Sequence, residues 1–228
     1  MTGGHTTEIK FVVAAGIGLD IAARVREHLV ADEHGGGPHR DEYRVTSLYF
    51  DTAAADVFHR RGSYGRSKYR IRRYQDERAV FLERKLRTAT LLAKRRTRVD
   101  VELLPLLAAR ELKEWDPAWW FERRIQLRAL RPVCQVSYRR IARQIETPAG
   151  LARLTLDACV AAVANPTWGF MDVEGTALTG GEMILEIKYR SQAPAVFRRL
   201  VQEFQLNPQP ASKYRLAVNT LGFAGTHA

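Results

Sequence analysis

Five segments of this chain alternate charged with mainly apolar residues at a period of two, the spacing that a half-buried β-strand requires. In TTEIKFVV, Glu8 and Lys10 share one face, and Ile9 and Phe11 the other. In YRIRRY, Arg70 and Arg72 share a face, opposite Tyr69, Ile71 and Arg73. FLERKLR sets Glu83, Lys85 and Arg87 against Leu82, Arg84 and Leu86. ARLTLD sets Arg153, Thr155 and Asp157 against Leu154 and Leu156, and ILEIKY sets Glu186 and Lys188 against Leu185, Ile187 and Tyr189.

YRVTSLYFDT and PVCQVSYRRIARQIE also read as strands, and the polar turn over 75–78 makes a hairpin of the strands on either side of it. Helical spacing predicts a helix from an Asp20 cap to about Asp32 and a short helix in AAADVFHRR. It also predicts helices between Leu104 and about Leu130, with Pro117 as a start and Trp119 and Trp120 packed inward, one in APAVFRRLVQEF, and a last one capped by Ser212. Many strands of similar length with helices between them imply an α+β chain: an antiparallel closed β-barrel, a tunnel of about eight strands decorated with helices. No repeat or low-complexity stretch interrupts 1–228, so a single domain is expected.

A charged strand face is ordinarily a solvated one. Two features favour a charged lumen here. Arg dominates the face of YRIRRY, and its planar fork suits bidentate phosphate binding. Carboxylates are interleaved with the cations at Glu8, Glu83, Asp157 and Glu186, where they could hold a hard divalent ion bridging phosphate oxygens. The formal charge of +11, from 36 Lys and Arg against 25 Asp and Glu, agrees with an anionic partner. Nucleic acid is disfavoured, because the basic residues alternate with apolar ones on strands and mix with Glu rather than lining a helix. No GxxxxGK[ST] loop, CxxC or HExxH is present. Cys134 and Cys159 sit in apolar runs and read as core thiols. No run approaches the roughly 20 apolar residues of a membrane span, and the first residues lack a basic-then-apolar leader pattern, so a cytoplasmic protein is expected.

The ordered set EIKF, SLYFDT, KYRIRRY, FLERK, AKRR, SYRR, ARLTLD, LEIKY and SKY resembles the polyphosphate polymerase domain of the vacuolar transporter chaperone (VTC) family, a branch of the triphosphate tunnel metalloenzymes. The resemblance runs from about Thr6 to Leu221. It implies a tunnel that binds ATP and inorganic polyphosphate with Mn2+ or Mg2+ and moves the γ-phosphate onto the growing chain. By motif it implies Lys10, Arg70 and Arg72 at the reacting phosphate, and Lys85, Lys94, Arg140, Arg153 and Lys213 on the other phosphates. Glu186 is implied as the metal ligand, with Glu8, Glu83 and Asp157 as further candidates. In SYRR, strict alternation leaves Arg139 open; motif spacing favours Arg140 and requires a bulge. Tyr49, Tyr69 and Tyr74 are candidates for stacking on a nucleobase. The related hydrolases carry Glu-x-Glu-x-Lys where this chain has Thr6, Glu8 and Lys10, which weakens a hydrolase reading. A triphosphatase acting on tripolyphosphate or a nucleoside or RNA 5′-triphosphate, and a polyphosphate-binding module without turnover, remain the alternatives.

Overall fold

The computed structural model describes residues 6–87 and 92–223, with the side chains of Arg87 and Leu92 outside the description. The expected place of the Arg87 side chain on a charged face therefore lies outside the described residues. The described residues form ten strands: β1 (Thr6–Val13), β2 (Val30–Ala31), β3 (Glu42–Asp51), β4 (Ser67–Tyr74), β5 (Ala79–Arg87), β6 (Leu92–Asp100), β7 (Arg131–Ile145), β8 (Ala152–Ala164), β9 (Thr176–Ala177) and β10 (Met183–Arg190). The helices are α1 (Ala15–Arg26), α2 (Asp56–His59), α3 (Leu104–Ala109), α4 (Trp119–Leu127), α5 (Ala195–Glu203) and α6 (Lys213–Thr220).

The strand order is β1-β10-β8-β7-β3-β4-β5-β6, an eight-strand path, with the two-residue β2 and β9 pairing off it to β7 and β8. The registered ladders are antiparallel. The antiparallel α+β architecture, with about eight strands and helical decoration, is the one the alternation predicts. The path begins at β1 and ends at β6.

The chain divides into two compact units. One comprises residues 1–44, 138–160 and 179–212; the other comprises 45–137, 161–178 and 213–228. Each is assembled from three separated stretches, so no composition shift along the sequence marks the division.

The core of the first unit forms because β1, β8 and β10 turn Phe11, Leu154, Leu156, Leu185 and Ile187 to one side, where α1 supplies Ile21, Ala22 and Val25 and α5 supplies Phe197 and Leu200. Burying the Leu, Ile, Val and Phe side chains among them contributes about 1.5–3 kcal/mol each. Helix α1 starts before the expected Asp20 cap and stops at Arg26 rather than near Asp32. Its N-cap is Ala14, whose side chain cannot cap, so the usual start signal is absent. Gly18 stands inside it because a Cβ there would lie 2.3 Å from Met183 Sδ. In the second unit, Phe121 of α4 is fully buried and meets Phe50 of β3 and Tyr69 of β4 edge-on, at 5.6 and 6.0 Å between centroids. Trp120 is buried as expected, and its indole Nε1 donates to Thr97 Oγ1 at 2.9 Å.

Candidate functional site

In the second unit, the antiparallel register stacks the polar positions of β3, β4, β5 and β6 in rows. Lys68, Lys85 and Lys94 form one row; Tyr49, Arg70, Glu83 and Arg96 form the next; Ser47, Arg72, Phe81 and Arg98 form a third. Because side chains on a strand alternate sides, all three rows share one face. That face carries seven cations and one carboxylate from these rows.

Glu83 is 2% exposed and holds the cluster together. Its Oε2 lies 2.6 Å from Arg70 Nε; its Oε1 lies 2.8 Å from Lys94 Nζ and 3.4 Å from Arg96 Nε. Burial alone would raise the Glu83 carboxyl, but the charges of Arg70, Arg72 and Lys94 overcome it and hold the group well below the usual carboxylate range. Burial, together with the like charges of Arg70 and Arg96, lowers the Lys94 ammonium even though Glu83 opposes it. Arg72, 6% exposed, donates from Nε to Ser47 Oγ at 3.2 Å. Arg96 stacks on Phe81, 3.6 Å from the ring centroid, and donates to Tyr74 OH at 3.1 Å.

The tyrosines proposed for base stacking are buried. Tyr69 belongs to the core. Tyr49 OH accepts from Arg70 Nη1 at 3.4 Å, and Tyr74 OH accepts from Arg96. Burial would raise both phenols; the neighbouring guanidinium groups lower them instead, Arg70 and Arg72 at Tyr49 and Arg72 and Arg96 at Tyr74. These phenols orient guanidinium groups without neutralising them.

Alternation puts Arg70, Arg72 and Lys85 on charged strand faces and the family resemblance adds Lys94; the register brings the four together on one face. Sequence reasoning missed Lys68, Arg96 and Arg98, although the same two-residue step from Lys94 leads to Arg96 and Arg98. Lys213, at the start of α6, belongs to the same unit, and its charge is felt at Tyr49.

The first unit carries a second polar face. Lys10 of β1 opposes Glu186 of β10, which opposes Thr155 of β8; Glu8 opposes Lys188, which opposes Arg153. Lys10 Nζ lies 3.5 Å from Glu8 Oε1 and 3.3 Å from Glu186 Oε2, and donates to Ala211 O at 3.2 Å. Glu8 and Glu186 are about one-quarter exposed, 22% and 25%, so both meet solvent.

Asp157 differs. It is fully buried and accepts a bidentate pair from Arg140, Nε to Oδ1 at 2.7 Å and Nη2 to Oδ2 at 2.8 Å. Burial would lower the Arg140 guanidinium, and the Asp157 charge raises it well above its ordinary value. Arg153 is committed to Asp32 and to Tyr43 OH, the latter at 2.7 Å. Arg139, the alternative in SYRR, is exposed and reaches Cys159 Sγ at 3.5 Å. Cys159 has φ of 52°, so the left-handed residue falls on β8 and not within SYRR; its thiol is exposed, while Cys134 is buried as expected.

No three His, Cys, Asp or Glu side chains gather into a ready-made metal site among the described residues. Glu8 and Glu186 nevertheless fit a hard divalent ion, since Mg2+ is usually held by one or two carboxylates together with substrate phosphates and water. Glu83 and Asp157 are engaged by guanidinium groups as they stand.

Residues 5–222 match the VTC domain family. The chain belongs to that family. No curated protein is significantly similar to it. Among solved structures, a candidate adenylate cyclase from Bacillus halodurans superposes with a TM-score of 0.56 at 15% identity, covering 90% of this chain and 92% of that one. A Hippeastrum adenylyl cyclase candidate, described as having a dominant triphosphatase activity, superposes at 0.53 and 15% identity over 96% of each chain. A Pyrococcus horikoshii protein superposes at 0.50 and 15% identity, covering 94% of this chain and 99% of that one. At such identities the likeness shows a shared fold and nothing beyond it. Among the described residues no helix is long and apolar enough to cross a membrane.

Proposed function

We propose that this chain is a polyphosphate polymerase that transfers the γ-phosphate of ATP to the end of an inorganic polyphosphate chain. The observation that carries the reading is the β4–β6 face, where Arg70, Arg72, Lys85, Lys94 and Arg96 surround one carboxylate. Phosphoryl transfer needs positioning and charge neutralisation more than a covalent nucleophile. Side chains do here what backbone N–H groups do in a P-loop.

The terminal oxygen of polyphosphate is already anionic. It attacks the γ-phosphorus in line and forms the new P–O bond, while the bond to the β-bridging oxygen breaks and ADP leaves with that electron pair; no general base is required. Arg70 and Arg72 are assigned to the reacting phosphate, an assignment the family motif also gives to Lys10. Lys85, Lys94 and Lys213 hold the flanking phosphates, and Arg140 and Arg153 are assigned to the polyanion after exchange of their present carboxylate partners. Glu186 with Glu8 would hold Mg2+ or Mn2+, which would supply charge neutralisation to the phosphates; Glu83 and Asp157 act as counter-ions to the guanidinium groups.

The test is incubation of the purified chain with ATP and manganese, with products resolved on a polyacrylamide gel. The expected result is a polyphosphate ladder with matching ADP, lost in Arg72→Ala and Glu186→Ala. A triphosphatase is the second reading, favoured by the activity described for the Hippeastrum protein. Orthophosphate without a ladder would establish it, and bound polyphosphate without turnover would leave a binding module.

A further inference from the structure

Helix α6 begins with Lys213, and the two residues that follow anchor it. Tyr214 is buried and donates its hydroxyl to Asp51 Oδ2 at the end of β3. Asp51 is 1% exposed and rigidly held: its Oδ1 accepts from the Thr52 and Val57 amides at 2.7 and 2.8 Å, and its Oδ2 from the Phe58 amide at 3.0 Å. Arg215 donates to the Phe58 carbonyl, and its guanidinium lies 4.6 Å from the Phe58 ring centroid. The Tyr214 ring packs 5.3 Å from that of Tyr49, whose hydroxyl receives Arg70. A continuous set of contacts therefore runs from Asp51 through Tyr214 and Tyr49 to Arg70, all within one unit. Lys213 sits close enough for its charge, with those of Arg70 and Arg72, to lower the Tyr49 phenol against the effect of burial.

A fully buried carboxylate that accepts three amides and one phenol has no capacity left for a ligand. Its remaining function is to fix what it holds. We propose that Tyr214 is a positioning residue: its bond to Asp51 sets the first turn of α6 so that the Lys213 ammonium joins the cationic face of β4–β6 as a contact for the bound polyanion. This rests on the reading of that face as a phosphate site.

The experiment is a double-mutant cycle on tripolyphosphate affinity, measured by calorimetry on the full chain: wild type, Tyr214→Phe, Lys213→Ala and the double variant. Loss of one charge-assisted contact weakens binding by about tenfold or more, so Lys213→Ala is expected to show that loss. Tyr214→Phe keeps the ring packing and is expected to show a large part of it. The double variant should bind no more weakly than Lys213→Ala alone, because Tyr214 acts only through Lys213. Additive losses would overturn the proposal and leave Tyr214 a structural residue. Should Tyr214→Phe fail to fold, Arg215→Met releases the second anchor of α6, and the same cycle with Lys213→Ala decides. If the folded wild type binds no tripolyphosphate, the phosphate reading fails and this inference falls with it. If the wild type binds and only the cycle is additive, the phosphate reading stands and this inference alone fails.

Discussion

Replacing Glu83 by Gln keeps the volume and removes the single negative charge that Arg70, Lys94 and Arg96 share. Deleting one partner of a buried ion pair costs about 3–5 kcal/mol when all partners are buried. Here the carboxylate is buried, but the side chains of Arg70, Lys94 and Arg96 are 27%, 48% and 32% exposed, so water screens the cations that remain. The expected loss is roughly 2–3 kcal/mol at low ionic strength. For a chain of this length each kcal/mol moves the melting temperature by about 2–4 °C, which gives a fall of about 4–12 °C. The same substitution leaves the face more positive. A polyanion should then supply the negative charge that Glu83 no longer does. Tripolyphosphate at a hundredfold excess over its Kd stabilises by about 2.7 kcal/mol, and at equal concentration the Glu83→Gln variant should gain more than wild type because its Kd is lower. Scanning fluorimetry with a tripolyphosphate titration, at low and at high salt, reads both effects. The reasoning is refuted if the melting temperature does not fall at low salt, or if tripolyphosphate raises both proteins equally. Unchanged tripolyphosphate affinity with abolished metal-dependent turnover would instead make Glu83 the metal ligand that the alternation in FLERK suggested.

Glu83 and Asp41 both have carboxyls held below their ordinary range. At Asp41 burial opposes the shift and hydrogen bonds from Arg26 and Arg143 produce it. The unfolded chain binds protons at about pH 4, before the folded one does. The stability these groups confer is therefore complete above that pH and lost as pH falls through the lower folded values. Acid unfolding followed by circular dichroism should begin near pH 4 and deepen below it, and Asp41→Asn should flatten that limb; a melting temperature independent of pH between 2 and 5 would contradict the ion pairing. Gly35→Ala would put a Cβ 1.9 Å from the Arg40 carbonyl oxygen, a backbone atom with little freedom to move. A loss of roughly 1–3 kcal/mol is expected in chemical denaturation, and wild-type stability in that variant would mean that the 35–40 loop is placed differently.

The strands were legible because their two faces differ: a charged and an apolar residue in alternation specify both element and orientation, and β4, β5, β8 and β10 fall within a few residues of where that pattern puts them. The start of α1 was not legible, since Ala14 offers no cap and Gly16 and Gly18 weaken the helical signal. The candidate site was legible as a set of residues but not as a set of partners. Period-two spacing puts Arg153 and Asp157 on one face of β8; it does not say that Arg153 reaches Asp32 or that Arg140 of another strand clamps Asp157. Tyr49 and Tyr74 illustrate the same limit, because an aromatic on a polar strand face reads equally as a stacking platform or as a buried acceptor for a neighbouring guanidinium.

The carboxylates on these faces separate by burial into two physical kinds. Glu83 and Asp157 are shut away from water, each against guanidinium groups, and such a group holds cations in place before a polyanion arrives. A buried charge that must exchange its partner does so only when the incoming ligand supplies equal or greater charge at the same distance, as a phosphate does. Glu8 and Glu186 flank a single lysine and meet solvent, so a hydrated divalent ion can approach them without first breaking a buried pair. The sequence pattern is the same in all four cases, a carboxylate among cations at period two. On the proposed reading, exposure leaves Glu8 and Glu186 as the place for a metal, while burial makes Glu83 the counter-ion of Arg70 and Arg96 and Asp157 that of Arg140.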